Sequence, residues 1–306
     1  MNQLRIGRGR YASLNDRVFD TVNILLMLLL VVVTLYPFVN TLAISFNDAI
    51  DSVSGGIYLW PRVFTLDNYA HVFQQSQILN ATMISILRTV IGTVVQVFCS
   101  AMVAYTISRP EFVLRKFVSI TFILTMYFSG GLIPTFLLMR DLHLIGPFAI
   151  YIIPGLIGVF NLIVIRSFIE GLPEGIIESA RIDGAGEFMT FIRIVLPLTV
   201  PVLATVALFA GVYQWNSWFD VFLYNSSKKH LSTLQYELMR ILQNTNSQSS
   251  SRQVDFFAQA ANRGQTVTPK AIRATMTIVA SVPIILVYPF LQKYFVHGMT
   301  VGGVKE

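Results

Sequence analysis

Six stretches of this chain are too long and too apolar to fold in water. By number they are 18–46, 78–107, 117–139, 148–168, 195–219 and 272–295. A helix that crosses a bilayer needs about 20 mostly apolar residues, and each stretch supplies that. The rest of the composition leaves no alternative solvent. Of 306 residues, 54% are hydrophobic and 12% charged, where average soluble domains carry about 25% charged residues. The predicted fold is therefore all-α, a polytopic membrane protein with six transmembrane helices. The first stretch exceeds the roughly 7–15 apolar residues of a cleaved leader and lacks a small-x-small site after it, so it reads as a retained helix.

Lysine and arginine in the short connections set the expected orientation. Arg5, Arg8, Arg10 and Arg17 precede the first span; Arg109, Arg115 and Lys116 follow the second; Arg166, Arg181 and Arg193 lie between the fourth and fifth. Only Arg62 and Arg140 follow spans one and three. Both termini are thus expected in the cytoplasm. The long segment 226–271 departs from the pattern with six basic residues, but long loops weigh less in this rule. Its middle, 244–253, is a run of Asn, Ser, Thr and Gln broken by one Arg, with too little apolar surface to fold alone. It is expected to be mobile, or ordered by a partner outside the membrane. The net charge of +6 is spread between spans rather than along one stripe, which argues against nucleic-acid binding.

Several spans carry helix breakers. Ser129-Gly130-Gly131 and Pro134 interrupt the third, Pro154-Gly155 the fourth, and Pro197 and Pro201 open the fifth. Such interruptions serve either close helix packing or rearrangement around a translocation path, and the residues alone do not separate the two.

The segment 170–197 is the most informative. Pro173 suits the first position of a helix, where a missing N–H costs nothing, and Glu174 follows at the positive end of the helix dipole. Ile176, Ile177 and Ala180 share one face at helical spacing. Gly184 can take the left-handed conformation that stops a helix. Phe188, Phe191, Ile192 and Val195 form the apolar side of a second amphipathic stretch, which runs into Pro197. The expected unit is helix, tight turn, helix. By itself this is equally an ordinary loop with two interfacial helices.

Glu178-Ser179-Ala180, Gly184 and Ile194-Val195-Leu196-Pro197 resemble the EAA signature of binding-protein-dependent ABC importer permeases, with serine where the family usually has alanine. Ala104-Tyr105-Thr106-Ile107-Ser108-Arg109 is similar to the end of the second span in carbohydrate permeases. Met126-Tyr127-Phe128-Ser129-Gly130-Gly131-Leu132-Ile133-Pro134, the tail from Gln292 to Lys305, Trp60-Pro61 and Thr65-Leu66-Asp67-Asn68-Tyr69 resemble the oligosaccharide subgroup related to lipoprotein-linked and pectin-fragment permeases. With these, the resemblance covers most of 20–306, to the MalG-like partner of a permease pair.

The resemblance implies a type-I ABC importer permease fold in a bacterial cell membrane. It implies a cytoplasmic tail at 1–17, a transmembrane permease domain at 18–296 whose core covers about 78–290, and a tail at 297–306. It makes 174–197 the coupling segment, with Glu178, Ser179, Ala180, Asp183, Gly184 and Ala185 as the residues that meet the ATPase. Small Ala180 would allow close approach, Glu178 and Asp183 would offer acceptors, and Gly184 would set the bend. The implied partners are a second homologous permease, two ATPase subunits, an extracytoplasmic solute-binding protein, a carbohydrate substrate and membrane lipid. No cofactor is implied in this chain, because ATP and magnesium would be bound by the ATPase.

The residues agree with that division of labour. No Gly-x-x-x-x-Gly-Lys-Ser/Thr occurs, so the chain has no such cradle for nucleotide phosphates. No His-Glu-x-x-His occurs, the four histidines are scattered, and the single cysteine, Cys99, lies in an apolar run. Neither an enzyme site nor a metal site is expected. Polar groups inside spans are costly and often face a cavity. Arg88 is expected to pair with a carboxylate or to snorkel, while Gln96 and Asn161 are candidates for the path. Sugars bind through aromatic faces and hydrogen-bonding side chains, and Tyr213, Trp215, Asn216 and Trp218 supply both; the same cluster would equally anchor the fifth span as an interfacial belt. An ion-coupled secondary transporter would need buried acids in its spans, where only Asp20 and Asp220 come near, and would leave 174–197 without a purpose. An ABC permease for a non-sugar solute is the other alternative.

Overall fold

The structure is a computed structural model, which describes residues 14–246 and 268–301. Among the described residues it is helical with no strand, apart from one isolated bridge between Asn47 and Phe64. The chain divides into two compact units, residues 1–71 with 256–278 and residues 72–255 with 279–306.

In the first unit, helix α1 (Leu14–Ser45) is apolar on every side, and none of its most hydrophobic stretch is buried. A helix of that kind needs an apolar surrounding rather than water. Its far end is tied into a polar knot. Asn40 donates to the Ile57 and Tyr58 carbonyls, and Asn68 donates to those of Ser45 and Asn47. Asp48 caps the short α2 (Ala49–Val53) by accepting from the Ile50 and Asp51 N–H groups, and Lys270 reaches the Ser52 carbonyl at 2.8 Å. Helix α3 (Asp67–Gln74) follows.

The second unit is built on α4 (Ser76–Ser108), 33 residues long. Helices α7 (Val159–Glu170) and α11 (Val200–Asn216) lie against it. Ala101 and Ala104 on α4 let the backbones come close, and around them pack Leu162, Ile165 and Ile169 of α7 with Val202 and Val206 of α11. A β-carbon on Gly92 would sit 2.8 Å from the Gln214 amide nitrogen, so any larger residue at that crossing would displace the Gln214 side chain.

Among the described residues, three helices are long and apolar enough to cross a membrane unbroken: residues 16–45, α4, and the first part of α14 (Pro269–Val301). Two more stretches qualify as bent pairs. The 3-10 turns at 148–155 meet α7 at 49°, and residues 187–198 meet α11 at 81°. The stretches expected as the fourth and fifth spans are therefore broken helices, with Pro154, Gly155 and Gly158 near one break and Pro197 and Pro201 near the other; proline lacks the N–H of a regular helix and glycine disfavours it. The third expected span is interrupted more sharply. It forms α5 (Arg115–Tyr127) and α6 (Leu132–Asp141), separated by extended backbone and by Gly131 at φ +85°. Neither half has the length of a span by itself.

Boundaries shift as well. Helix α1 begins four residues before 18, the fifth span ends at Asn216 where a separate α12 (Phe219–Asn225) follows, and the last helix continues to Val301, past 296. Part of the loop expected over 226–271 is ordered: α13 (Leu234–Asn246) buries Leu234, Leu238 and Glu237. Gln77 on α4 donates to Glu237 at 2.8 Å, Ser232 donates to the same oxygen, and the Leu234 N–H bonds Ser85 at 2.8 Å. Leu234 and Leu238 are spaced i, i+4, a short stripe that the polar tract after it obscures. Of that tract, 244–246 end α13, while 247–267 lie outside the described residues.

Candidate functional site

The segment 174–197 folds as helix, turn, helix. Helix α8 (Glu174–Ile182) starts behind Pro173, which stands at the cap, one position earlier than expected; helix ends drift by a residue because their last bonds are weak. The turn shows why the residue spacing is what it is. Gly184 has φ +81°, its N–H bonds the Arg181 carbonyl, and the Ala185 N–H bonds the Ala180 carbonyl, each at 3.0 Å. This is a Schellman closure: the left-handed conformation strongly favours glycine, which has no β-carbon to clash, and the next N–H reaches back five residues. Ala180, Gly184 and Ala185 are thus one hydrogen-bonded unit.

After the turn, α9 (Glu187–Thr190) passes through a π-helical stretch at Phe191–Val195 into the short α10 (Leu196–Leu198). Phe191 and Val195 are buried in the core with Ile177. Phe188, expected on the same side, is 66% exposed; the wider π turn changes the angle per residue, so a stripe drawn at α-helical spacing does not hold across it.

Of the expected coupling residues, Glu178, Ser179, Asp183 and Gly184 are exposed, Ala185 is half-buried and Ala180 is buried within the chain. The small side chain of Ala180 is therefore occupied by the chain's own packing. The outward surface is formed instead by Glu178 and Asp183 beside Ile182, which is 86% exposed, and Phe188.

A clamp that no local pattern announces braces this segment. Arg181 reaches Glu111 at 2.5 Å and Glu187 at 2.9 Å. Tyr105, near the end of α4, donates to the other oxygen of Glu187 at 2.6 Å, and the Arg109 guanidinium lies 5.0 Å from the Tyr105 ring centre. One guanidinium thus joins α8, the start of α9 and the loop after α4. Glu111 is 70 residues from Arg181 in sequence, and nothing in its neighbourhood marks it. Its carboxyl is held below the ordinary carboxylate range, chiefly by the hydrogen bond from Arg181. A carboxylate lowered on folding adds stability above its ordinary pKa, and loses it as pH falls through the lowered value. Arg181→Gln is expected to cost at most about 1 kcal/mol at neutral pH, because the pair is exposed and screened. Thermal unfolding should show that difference closing as the pH drops well below the ordinary carboxylate range; a difference that persists there would assign the loss to packing.

A second constellation lies among α4, α11 and α12. Arg88 is 1% exposed and pairs with Asp220 at 2.5 Å. Its guanidinium also donates twice to the Gln214 side-chain oxygen, each at 3.1 Å, and stands 4.6 Å from the Tyr151 ring centre. Asn225 donates to the Tyr151 hydroxyl, which donates to the Leu231 carbonyl at 2.8 Å. Of the two possibilities for Arg88, pairing with a carboxylate is the one present.

The expected aromatic cluster is dispersed. Trp215 is buried and its indole N–H donates to the Ala280 carbonyl at 2.8 Å. Asn216 is exposed and donates to the Val212 carbonyl of its own helix. Tyr213 is exposed, and Trp218 packs edge-on to Phe219. Beside Trp215 is an apolar cavity of about 110 Å³ lined by Thr89, Gly211, Pro283, Ile284 and Val287 among others. Asn161 is buried at the start of α7. Among the described residues, no group of three or more His, Cys, Asp or Glu side chains is placed to hold a metal ion.

A chain whose long apolar helices leave much of their surface uncovered, and whose braced helical insert buries one side against them and exposes the other, is a membrane subunit of a transport assembly. It belongs to the family of binding-protein-dependent transport system inner membrane components, whose model matches residues 81–301. The chain is 35% identical to the polygalacturonan/rhamnogalacturonan transport system permease protein YtcP of Bacillus subtilis (strain 168), over 95% of this chain and all of that protein. It is 38% identical to protein LplC of the same organism, over 94% and 95% of the two. Its fold matches, with a TM-score of 0.85 and 26% identity, a chain in the crystal structure of a bacterial ABC transporter that imports the acidic polysaccharide alginate; the match covers 94% of this chain and 100% of that one. The chain is accordingly a permease subunit with the ABC importer permease fold, and not a catalytic one.

Proposed function

We propose that this chain is one of a pair of permeases in an ATP-driven importer of a carbohydrate, an oligosaccharide, working by alternating access in a bacterial inner membrane. The functions of its relatives support the substrate class: YtcP serves polygalacturonan and rhamnogalacturonan, and AraQ of Halalkalibacterium halodurans, 28% identical, serves arabinooligosaccharides. Six spans are proposed, the third made of α5 and α6 and the fourth and fifth of the bent pairs, with both termini in the cytoplasm. The division that goes with this function is a permease domain over 18–296, its core at about 78–290, between tails at 1–17 and 297–306.

The observation that carries the mechanism is the braced turn at Gly184. A short helix fixed by a Schellman closure and by the Arg181 clamp transmits a push as a rigid body, where a free loop would absorb it. In this reading an ATPase subunit grips Glu178, Ser179, Asp183 and the neighbouring Ile182, while Ala180, Gly184 and Ala185 hold the turn. Two ATPase subunits bind ATP and magnesium, and their closure moves 174–197. The path opens toward a solute-binding protein outside, which delivers the sugar. Each state must bind its partners differently for the cycle to run. Along the path we place Asn161, Tyr213 and Trp218, with Trp215 and Asn216 contributing through the packing of α11.

The test is purification of the tagged chain with its partners in detergent, followed by ATP hydrolysis and uptake in vesicles. No turnover of ATP is expected from the chain alone. Turnover is expected once the ATPase, the second permease and the binding protein are present. Hydrolysis by the isolated chain would remove the assignment.

A further inference from the structure

The break in the fourth span creates a polar niche that no helix of the bundle satisfies. Gln96 on α4 and Asn161 in the first turn of α7 are each 8% exposed, and the buried side-chain oxygen of Gln96 has no hydrogen-bond partner. Ser100, one turn further along the same side of α4, is fully buried and its hydroxyl is also without a partner. Between the two helices lies Gly158. A β-carbon there would fall 2.8 Å from the Gln96 amide nitrogen and 3.1 Å from that of Asn161. Glycine therefore lets both amide nitrogens come close to the backbone at the break. The start of α7 has no side-chain cap, so its first N–H groups face the same break without an intrahelical acceptor.

Buried amides and hydroxyls are almost always paired, because leaving one unpaired costs the desolvation of that group. Inside apolar helices the cost is higher, since no bulk water reaches them. Two buried oxygens without a partner, those of Gln96 and Ser100, beside a helix break are what a transient ligand leaves behind. The groups are all uncharged, and each amide offers an N–H donor next to a carbonyl acceptor. That pattern matches the hydroxyls of a sugar ring, which donate and accept at once. A carboxylate would find donors but no charge to balance its own, and its desolvation would go uncompensated.

We propose that Gln96 and Asn161, held open by Gly158, form a two-amide clip that takes neighbouring hydroxyl groups of the passing saccharide, with Ser100 as a third contact. The inference rests on the carbohydrate-import reading. It joins Gln96 and Asn161 into one subsite, adds Ser100 and Gly158 to the path, and assigns this subsite to neutral hydroxyls rather than to acidic groups.

The experiment uses the whole assembly in vesicles, with galacturonan and arabinan oligosaccharides as probes, and reads sugar imported per ATP hydrolysed. Gln96→Leu and Asn161→Leu are each expected to lower that ratio roughly tenfold, the loss of one or two hydrogen bonds to the sugar. Gly158→Ala should lower it too, by forcing the amides apart. Gln96→Asn, which keeps the amide but withdraws it, serves if the leucine variant does not assemble, and is expected to lower the ratio about threefold. A ratio unchanged in these variants, with uptake and hydrolysis falling together or not at all, overturns the clip and leaves a niche for water. If the wild-type assembly hydrolyses ATP but imports neither probe, the carbohydrate reading itself fails, which is a separate result.

Discussion

Replacing Arg88 by methionine is expected to destabilise the folded permease by about 3 kcal/mol, the low end of what breaking a buried pair costs. Methionine keeps the length and loses the charge. It leaves the Asp220 carboxylate, only 23% exposed, without the cation 2.5 Å away, and leaves the Gln214 side-chain oxygen without its two donors. The effect exceeds that of a surface pair because the carboxylate cannot turn fully into water. Removing both charges is a different matter. The double variant Arg88→Met with Asp220→Leu is expected to regain most of the loss, since a well-packed apolar pair avoids the desolvation that the ions require. Thermal unfolding of the detergent-solubilised chain, followed through its tryptophans, measures both. A single variant as stable as wild type would mean that the α4 to α12 pair is not formed in the membrane.

Gly184→Pro is expected to abolish transport while leaving the chain in the membrane. Proline fixes φ near −65°, and this position has φ +81°. Proline also lacks the N–H that closes onto the Arg181 carbonyl. The turn must then open, and α8 leaves its place beside Glu187 and the loop after α4. The buried core of α4, α7 and α11 does not pass through Gly184, so membrane insertion should survive. Gly184→Ala is a milder control, costing about 1–2 kcal/mol for a left-handed residue with a β-carbon. Glu178→Lys changes only an exposed side chain and is also expected to abolish transport, which separates loss of docking from loss of shape. Uptake and ATP hydrolysis in vesicles, together with the amount of chain in the membrane, distinguish the cases. Normal coupled uptake in both Gly184→Pro and Glu178→Lys would end the view of 174–197 as the drive element.

These two positions show how unevenly the sequence speaks. Gly184 was legible because its role is local. Its left-handed φ and its spacing from Ala180 are set within one turn of chain, and the Schellman closure involves only 180–185. The long apolar helices were legible for the same reason, since hydropathy over about 20 residues decides membrane residence. Pro154, Pro197 and Gly131 marked where spans break, but not by how much. The 49° and 81° bends depend on what each half-helix packs against.

Arg88 could be read only as a charge in need of a partner. Which carboxylate it meets is settled across 132 residues, and the Arg181 clamp across 70. No propensity or periodicity carries information over such distances. The same holds for Trp215, whose aromatic character suggested sugar contact and whose indole N–H is taken by the carbonyl of Ala280. For Gln96 the sequence announced a costly amide in a span, and only the fold shows that Asn161 stands opposite with Gly158 between. What the sequence determined by itself is the helical membrane architecture and the turn at Gly184, because both follow from the energies of neighbouring residues. What the tertiary structure decided is which distant polar groups are paired and which are left open, because that depends on the crossing of helices far apart in the chain.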